Sequence, residues 1–177
     1  MNIVLLNGSP RAAGNTTEAL KMLAEALPAG SNVETVNVAA LKIGGCKSCF
    51  ACKQNGGTCV QKDDAEEVLA KVVAADALVF ATPVYFMGIT AQLKALIDRF
   101  FAKVDKLQAA SKKVAVIAIG GTPPPSGQYD LIAGNVQAIC AFLGWEFAGQ
   151  YVAGSFQGDE AKTAAAKKEI AALAAKL

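Results

Sequence analysis

The chain has 177 residues, of which 53% are hydrophobic and 18% charged, and its net charge is +2. This balance excludes a disordered protein and leaves no basic excess for nucleic acid or an anionic membrane surface. No apolar run reaches the roughly 18 residues that a membrane span needs, and no basic region precedes the apolar start as in a signal peptide. Histidine is absent, which excludes Ser-His-Asp and Cys-His catalysis. We therefore expect one cytoplasmic domain over residues 1–177, whose five cysteines serve as thiols or metal ligands rather than as disulfides.

Short apolar segments alternate with segments of helical periodicity. The pattern predicts strands at 3–6, 33–38, 77–82, 113–120 and 146–152, and helices at 16–27, 63–73, 91–102, 129–142 and from Asp159 onward. The segment 77–82 is continuously apolar, as expected for the centre of a parallel sheet. Because right-handed crossovers return each strand in the same direction, these elements predict an α/β fold. We expect a doubly wound five-stranded parallel sheet in the order 2-1-3-4-5, with helices on both faces.

The first strand leads into a loop rich in Gly, Ser and Thr, which ends where the first helix begins. N–H groups at a helix start have no intrahelical partner, and the helix dipole favours negative charge there. Further donors or positive charge come from Ser9, Arg11, Asn15, Thr16 and Thr17. The spacing matches neither GxxxxGK[ST] nor GxGxxG, which favours a single phosphate over ATP hydrolysis or a dinucleotide. The alternative is a polar turn without a ligand.

A second loop follows the third strand and runs from Pro83 to Thr90. In a doubly wound sheet, ligands lie beyond the carboxyl ends of the strands that flank the reversal of strand order. For the order 2-1-3-4-5 these are the first and third strands. The second loop offers apolar and aromatic side chains, a glycine and backbone amides where a flat heterocycle would lie. Alternatively, Tyr85, Phe86 and Met87 belong to the core or to a dimer contact.

Four cysteines lie in an insertion at 44–62 with the spacing C-x2-C-x2-C-x6-C, namely Cys46, Cys49, Cys52 and Cys59. Three thiolates at the shorter spacing wrap one face of a cuboidal iron–sulfur cluster, and a fourth from a nearby loop closes it. A tetrathiolate zinc site and a loop of free thiols remain alternatives, although zinc sites usually use two separated C-x2-C pairs. Cys140 lies in an apolar helical segment and is expected to be a buried hydrophobic residue.

The motif GSPRxxGNT after the first strand, together with PVYFMGITAQLKALIDRF after the third, resembles the flavodoxin-like NADPH-dependent FMN reductases and the related iron–sulfur flavoproteins. The resemblance covers most of the chain and implies a flavodoxin-like fold with non-covalently bound FMN. By this resemblance, the FMN phosphate would be held by Ser9, Arg11, Asn15, Thr16 and Thr17. The ribityl chain and ring would be lined by Pro83, Val84, Tyr85, Phe86, Met87 and Gly88, and the other flavin edge would be closed by Gly120, Gly121 and Thr122.

The resemblance implies an NAD(P)H oxidoreductase that passes electrons through FMN to a quinone, a flavin or another small acceptor. The chemistry is then carried by the cofactor, so no catalytic side chain is expected. The slightly basic chain lacks the acidic surface excess of the electron-carrier flavodoxins, which favours an enzyme over a pure carrier. The sequence does not choose between NADPH and NADH.

Two further hypotheses remain. The iron–sulfur flavoproteins imply a [4Fe–4S] cluster on the four cysteines, which would relay electrons between FMN and a ferredoxin-type partner. Alternatively, the chain is a binding or scaffold protein that kept the loop without a flavin. The resemblance implies a flavin site that is completed across a subunit interface, and we expect the Tyr85–Gly88 loop with the following helix to leave apolar surface exposed. We therefore expect a homodimer or a homotetramer.

Overall fold

A computed structural model describes residues 1–154 and 163–177. Within these ranges the strands are β1 (Asn2–Asn7), β2 (Asn32–Asn37), β3 (Ala77–Pro83), β4 (Lys113–Gly120) and β5 (Glu146–Gly154). The α-helices are α1 (Asn15–Ala26), α2 (Ala51–Gln54), α3 (Ala65–Ala74), α4 (Ala91–Asp98), α5 (Val104–Gln108), α6 (Gly127–Leu143) and α7 (Ala164–Ala174). Two short 3-10 segments lie at Val38–Ala40 and Arg99–Lys103.

The strands form one sheet in the order β2-β1-β3-β4-β5, and every neighbouring pair is parallel. The predicted doubly wound topology is therefore confirmed. The register pairs Asn7 with Ala81 and Pro83 with Ile119. The loops after β1, β3 and β4 consequently leave the same edge of the sheet side by side.

Alternating side chains of the central strands feed two core layers, one on each face of the sheet. One layer lies under α3, α4 and α6 and includes Leu6, Phe80, Val116, Leu96 and Val136. The other lies under α1 and α7 and includes Leu5, Val79, Ile117, Leu23 and Ile170. Burial on both faces explains why β3 and β4 read as continuous apolar runs in the sequence.

Two predicted elements differ from the structure. The helix expected over 91–102 ends as an α-helix at Asp98 and continues as the 3-10 segment Arg99–Lys103. This segment buries Arg99 and Lys103, which form ion pairs with Asp63 and Glu66. The predicted cysteine loop contains the one-turn helix α2. Four residues are too few for hydrophobic periodicity to predict a helix.

The final predicted helix is found as α7, and its expected start at Asp159 lies outside the described residues. Cys140 is a buried part of α6, as predicted, and burial raises the pKa of its thiol to about 11. None of the helices in the described ranges is long and apolar enough to cross a bilayer.

Candidate functional site

A cavity of about 320 Å³ opens at the carboxyl edge of the sheet, where the loops after β1, β3 and β4 meet. Its lining includes nine of the residues predicted from the sequence: Ser9, Arg11, Asn15, Thr16, Pro83, Val84, Tyr85, Gly120 and Gly121. Gly14 and Ile119 also line it and were not predicted. The remaining predicted residues, Thr17, Phe86, Met87, Gly88 and Thr122, lie outside this lining.

The buried side chain of Asn7 organises the loop after β1. Its Nδ2 donates to Thr17 Oγ1 (3.2 Å) and to Asn37 Oδ1 (3.1 Å), while its Oδ1 accepts from the backbone N–H of Ser9 (3.0 Å). Ser9 Oγ in turn accepts from the backbone N–H of Arg11 (3.2 Å). Thr17 therefore stabilises the loop through its hydrogen bond with Asn7 and does not line the cavity.

The start of α1 forms the polar end of the cavity. Gly14 occupies the N-cap in an extended conformation (φ −155°), and a glycine has no side chain to cap the helix. The first turn therefore presents backbone N–H groups, next to the Asn15 and Thr16 side chains and the guanidinium of Arg11. Amide, hydroxyl and guanidinium donors at a helix N-terminus suit a phosphate dianion. The sequence could have indicated Gly14 as the N-cap of α1, because glycine is among the residues preferred at this position.

The buried Thr90 joins the loops after β1 and β3, and the buried Thr82 holds Thr90 in place. Thr90 Oγ1 donates to the Gly8 carbonyl oxygen (2.8 Å) and accepts from the backbone N–H of Leu93 (3.4 Å), so it also caps α4. Thr82 Oγ1 accepts from the backbone N–H of Thr90 (3.1 Å). A Cβ at Gly8 would lie 2.8 Å from both Thr90 Oγ1 and Leu93 Cβ, so this close approach requires glycine.

The tip of the β3–α4 loop points away from the protein body. Tyr85 and Gly88 exchange backbone hydrogen bonds (3.0 and 3.1 Å), and the two residues between them adopt left-handed conformations (φ 45° at Phe86, 69° at Met87). The Phe86 side chain is fully exposed. Such backbone strain in non-glycine residues needs support from the surrounding structure and is common at ligand clamps. The core alternative for Phe86 and Met87 is therefore wrong for this chain.

The third wall is held by Tyr129, at the start of α6. Its hydroxyl group lies 2.6 Å from the Thr122 carbonyl oxygen and 3.0 Å from that of Ala153. These contacts attach the loop after β4 to the end of β5. A Cβ at Gly120 would approach the Tyr129 hydroxyl oxygen to 2.7 Å, so a larger residue at this position of the wall would displace that hydroxyl group.

A separate small cavity contains the four cysteines of the insertion. Its lining comprises Cys46, Lys47, Ser48, Cys49, Phe50, Cys52, Cys59, Gln61, Asp98, Arg99, Phe101 and Ala102. Ser48 and Phe50 adopt left-handed conformations (φ 53° and 57°) on either side of Cys49. Among the described residues, no three His, Cys, Asp or Glu side chains converge on a position for a single metal ion. The thiols therefore share a cavity without forming the compact tetrahedron that a zinc ion needs.

Asp63 and Arg99 connect this insertion to the rest of the fold. The two side chains form a bidentate ion pair (2.8 and 3.2 Å), and Arg99 Nη1 also donates to the Gly44 carbonyl oxygen (2.9 Å). Asp63 accepts from the backbone N–H groups of Gly44 and Ala65. Burial raises the pKa of Asp63, but the hydrogen bonds from Arg99 and the two backbone groups outweigh it, so this pKa is lower than usual. The helix that Asp63–Asp64 was predicted to cap begins at Ala65, and Asp64 occupies its N-cap.

The family described as NADPH-dependent FMN reductase matches residues 1–133 of the chain. An iron–sulfur flavoprotein of Archaeoglobus fulgidus is 32% identical over 185 residues, covering 99% of this chain and 90% of the relative. Another, from Methanocaldococcus jannaschii, is 36% identical over 126 residues, covering 69% of this chain. The match spans 63% of that protein, so the chain accounts for less than two thirds of its length.

A Bacillus subtilis protein, named as an NAD(P)H-dependent FMN-containing oxidoreductase, is 30% identical over 161 residues and is covered over 84% of its length. An FMN-dependent NADH-azoreductase of Bacillus anthracis, solved with FMN, superposes with a TM-score of 0.67. At 16% identity over 99% of both chains, this structure shows a common flavodoxin-like fold and nothing finer. On the strength of the family match and the sequence relatives, the chain belongs to the NADPH-dependent FMN reductase family.

Proposed function

We propose that this protein is an FMN-dependent NAD(P)H oxidoreductase that passes electrons from a nicotinamide to a quinone, a flavin or another small acceptor. The observation that carries the proposal is the cavity at the strand-order reversal, which has donors at one end and apolar groups at the other. This division matches the two ends of FMN, a charged phosphate and a flat ring. The family of the chain and the name of its Bacillus subtilis relative support the same activity.

Each part of the cavity has a proposed role. Arg11 neutralises phosphate charge, and Ser9, Asn15 and Thr16 donate hydrogen bonds to the phosphate oxygens, with Thr17 as their support. Pro83, Val84 and Tyr85 line the ribityl chain and one side of the ring, while Gly120 and Gly121 allow close backbone approach at the other edge. Phe86, Met87 and Gly88 form a rim outside the cavity, where they would meet the second substrate or another subunit.

FMN, when bound, supplies hydride acceptance from the nicotinamide and delivery of one or two electrons to the acceptor. The protein contributes binding, orientation and exclusion of water. The apolar walls at Val84 and Ile119 keep water from one end of the cavity, while Tyr129 fixes the loop that bears Gly120 and Gly121. An open rim remains for the two substrates to enter in turn.

Anaerobic stopped-flow reduction tests this function. We expect FMN-loaded protein to lose its flavin absorbance when NADPH or NADH is added, and to regain it when a quinone follows. The sample without nicotinamide is the control for photoreduction. A flavin that neither nucleotide reduces within minutes would contradict the oxidoreductase function. A protein that quenches no FMN fluorescence on titration would contradict the flavin site itself and favour the scaffold alternative.

A second function, electron relay through a [4Fe–4S] cluster on Cys46, Cys49, Cys52 and Cys59, is favoured by the shared cavity of these thiols. A cluster places a separate iron at each thiolate, so the sulfurs need not converge on one ion. The left-handed residues Ser48 and Phe50 alternate with the cysteines, and such backbone turns direct N–H groups toward an anionic group. Archaeal relatives are named iron–sulfur flavoproteins. The partner would then be a ferredoxin-type protein in a reducing cytoplasm.

Iron and sulfide analysis of anaerobically purified protein tests the relay. About four irons per chain and a broad absorbance shoulder near 400 nm are expected for a cluster. Flavin bands without iron would leave a simple flavin reductase with free thiols. The variant Cys140→Ala should have the same iron content as the wild type, because this buried thiol lies outside the four-cysteine cavity.

Self-association is proposed from the exposed apolar side chains. Phe86 is fully exposed, and Leu131 and Phe142 are 64% and 65% exposed. A homodimer or homotetramer would cover such surface. Analytical ultracentrifugation of the wild type and of Phe86→Ser distinguishes the cases, since a monomeric wild type would contradict the proposal. A dimer unaffected by the substitution would place the interface at the α6 surface instead.

A further inference from the structure

Arg99 brings a permanent positive charge into the interior beside the four cysteines. Its side chain is 1% exposed, and it lines the cavity that contains Cys46, Cys49, Cys52 and Cys59. A guanidinium stays charged at any physiological pH, so burial at this depth requires compensating partners. Asp63 provides the opposite charge at 2.8 Å. The ion pair accounts for the buried positive charge, but it does not account for the additional hydrogen-bond donors of arginine.

The hydrogen bonds of the guanidinium are distributed unevenly. Nη1 and Nη2 donate to Asp63, and Nη1 also donates to Gly44, whereas the buried Nε atom has no hydrogen-bond partner among the described residues. Burial lowers the pKa of Arg99, but Asp63 and, more weakly, the Cys59 thiol raise it and prevail. Cys59 is thus the neighbouring group that interacts with the guanidinium after Asp63. Arg99, with its unpartnered Nε, and Cys59 therefore line the same cavity.

We propose that Arg99 Nε donates a hydrogen bond to the Cys59 sulfur when the four thiolates hold an iron–sulfur cluster, and that this bond raises the reduction potential of the cluster. The inference rests on the cluster of the second proposed function. A donor to a thiolate sulfur stabilises negative charge, and the reduced state carries one more electron than the oxidised state. Reduction adds that electron without forming or breaking a bond, and Arg99 keeps its protons throughout. Asp63 holds the opposite side of the guanidinium and fixes its orientation. Arg99 acts on the cluster only through the Cys59 sulfur, so it is a positioning residue.

The test is the cluster potential of Arg99→Lys in the full-length protein with FMN bound. Lysine keeps the charge and can pair with Asp63, but it lacks the Nε donor. After anaerobic reconstitution with iron and sulfide, we expect a lower potential than in the wild type, measured by a mediated dithionite titration followed by electron paramagnetic resonance. We also expect iron release to a chelator to be at least about threefold faster, because the Cys59 ligand loses a hydrogen bond.

Lys103→Arg is the matched control. Lys103 is the other buried cation of the same 3-10 segment, pairs with Glu66 and does not line the cysteine cavity. Exchanging one cation for the other there should leave the potential unchanged. An Arg99→Lys protein that loads iron and has the wild-type potential would show that Arg99 only secures the loop, and would overturn the inference. A wild type that takes up no iron would instead overturn the proposed cluster, and the inference with it.

A measurement on protein that retains Arg99 covers the case in which Arg99→Lys fails to fold. The chain has two arginines, Arg11 and Arg99, so ¹⁵N-arginine labelling is nearly site-specific. Labelling in Arg11→Gln leaves Arg99 as the only labelled residue. A ¹⁵N hyperfine coupling to the reduced cluster, detected by pulsed electron paramagnetic resonance, is expected from an Nε–H···S hydrogen bond. The absence of such coupling in iron-loaded protein would contradict the inference.

Discussion

The Thr90 hydroxyl group donates a 2.8 Å hydrogen bond to the carbonyl oxygen of Gly8, 82 residues earlier in the chain. This contact joins the loop that presents the phosphate donors to the loop that presents the apolar wall. Both partners are buried, so the bond is not exchanged readily for water. It explains how two loops that are distant in sequence keep a fixed separation across the cavity.

We expect Thr90→Val to lower the free energy of unfolding by about 1–2 kcal/mol and to weaken FMN binding. Valine has a similar shape, but it leaves the Gly8 carbonyl oxygen unpaired and removes the cap of α4. Urea unfolding and FMN fluorescence titration measure the two effects. Thr90→Ser retains the hydroxyl group and should keep most of both. Equal losses in the Ser and Val variants would contradict the role assigned to the hydrogen bond.

Gly8→Ala should destabilise the protein by about 1–3 kcal/mol, because the added Cβ overlaps Thr90 Oγ1 and Leu93 Cβ. Thermal unfolding of apo protein measures this effect without the cofactor. Gly134→Ala is the control: Gly134 is an exposed position of helix α6, and a Cβ there meets nothing within 4 Å. That variant should be more stable by up to about 1 kcal/mol. Similar effects at both positions would contradict the packing argument for Gly8.

Arg11→Gln should weaken FMN binding about tenfold, equivalent to about 1.4 kcal/mol, and leave riboflavin binding unchanged. The reason is that riboflavin lacks the phosphate that Arg11 is proposed to neutralise. Fluorescence titrations with both flavins provide the comparison. Lys21→Gln removes an exposed charge of α1 that pairs with Glu18 and does not line the cavity, so it should not change either affinity. A parallel loss for both flavins in Arg11→Gln would place Arg11 away from the phosphate.

The pH dependence of stability should report the Asp63–Arg99 ion pair. The pKa of Asp63 is held below its ordinary value of 3.8 in the folded protein, so this carboxylate binds a proton more readily in the unfolded protein. Its contribution is therefore complete above pH 3.8 and is lost as the pH falls through the folded-state pKa. The stability difference between the wild type and Asp63→Asn should shrink in that acidic range, as measured by urea unfolding from about pH 7 to about pH 2.5. A difference that stays constant to the lowest pH would contradict this linkage.

The sequence by itself determined the sheet and the approximate position of the candidate site. Alternating apolar and helical segments predicted a parallel α/β sheet, and the flavodoxin-like resemblance implied the order 2-1-3-4-5. Parallel strands bring all the following loops to one edge, and this order makes the loops after β1, β3 and β4 neighbours there. Ser9, Asn15 and Thr16 could be named because a helix N-terminus carries a local signal in small polar residues, and Arg11 because it adds a positive charge to the same loop. These features depend on residues close together in the chain.

The tertiary structure decided which side chains line the cavity, among the predicted residues and beyond them. Thr17 turns toward Asn7, Phe86 turns outward, and Ile119 becomes part of the wall, although nothing in their local sequence distinguishes these orientations. Arg99 shows the difference most clearly. Its position in an amphipathic pattern predicts only a helix residue, while its burial depends on Asp63, 36 residues away. Local periodicity reports the backbone, whereas burial of charge is set by partners that only the folded chain brings together.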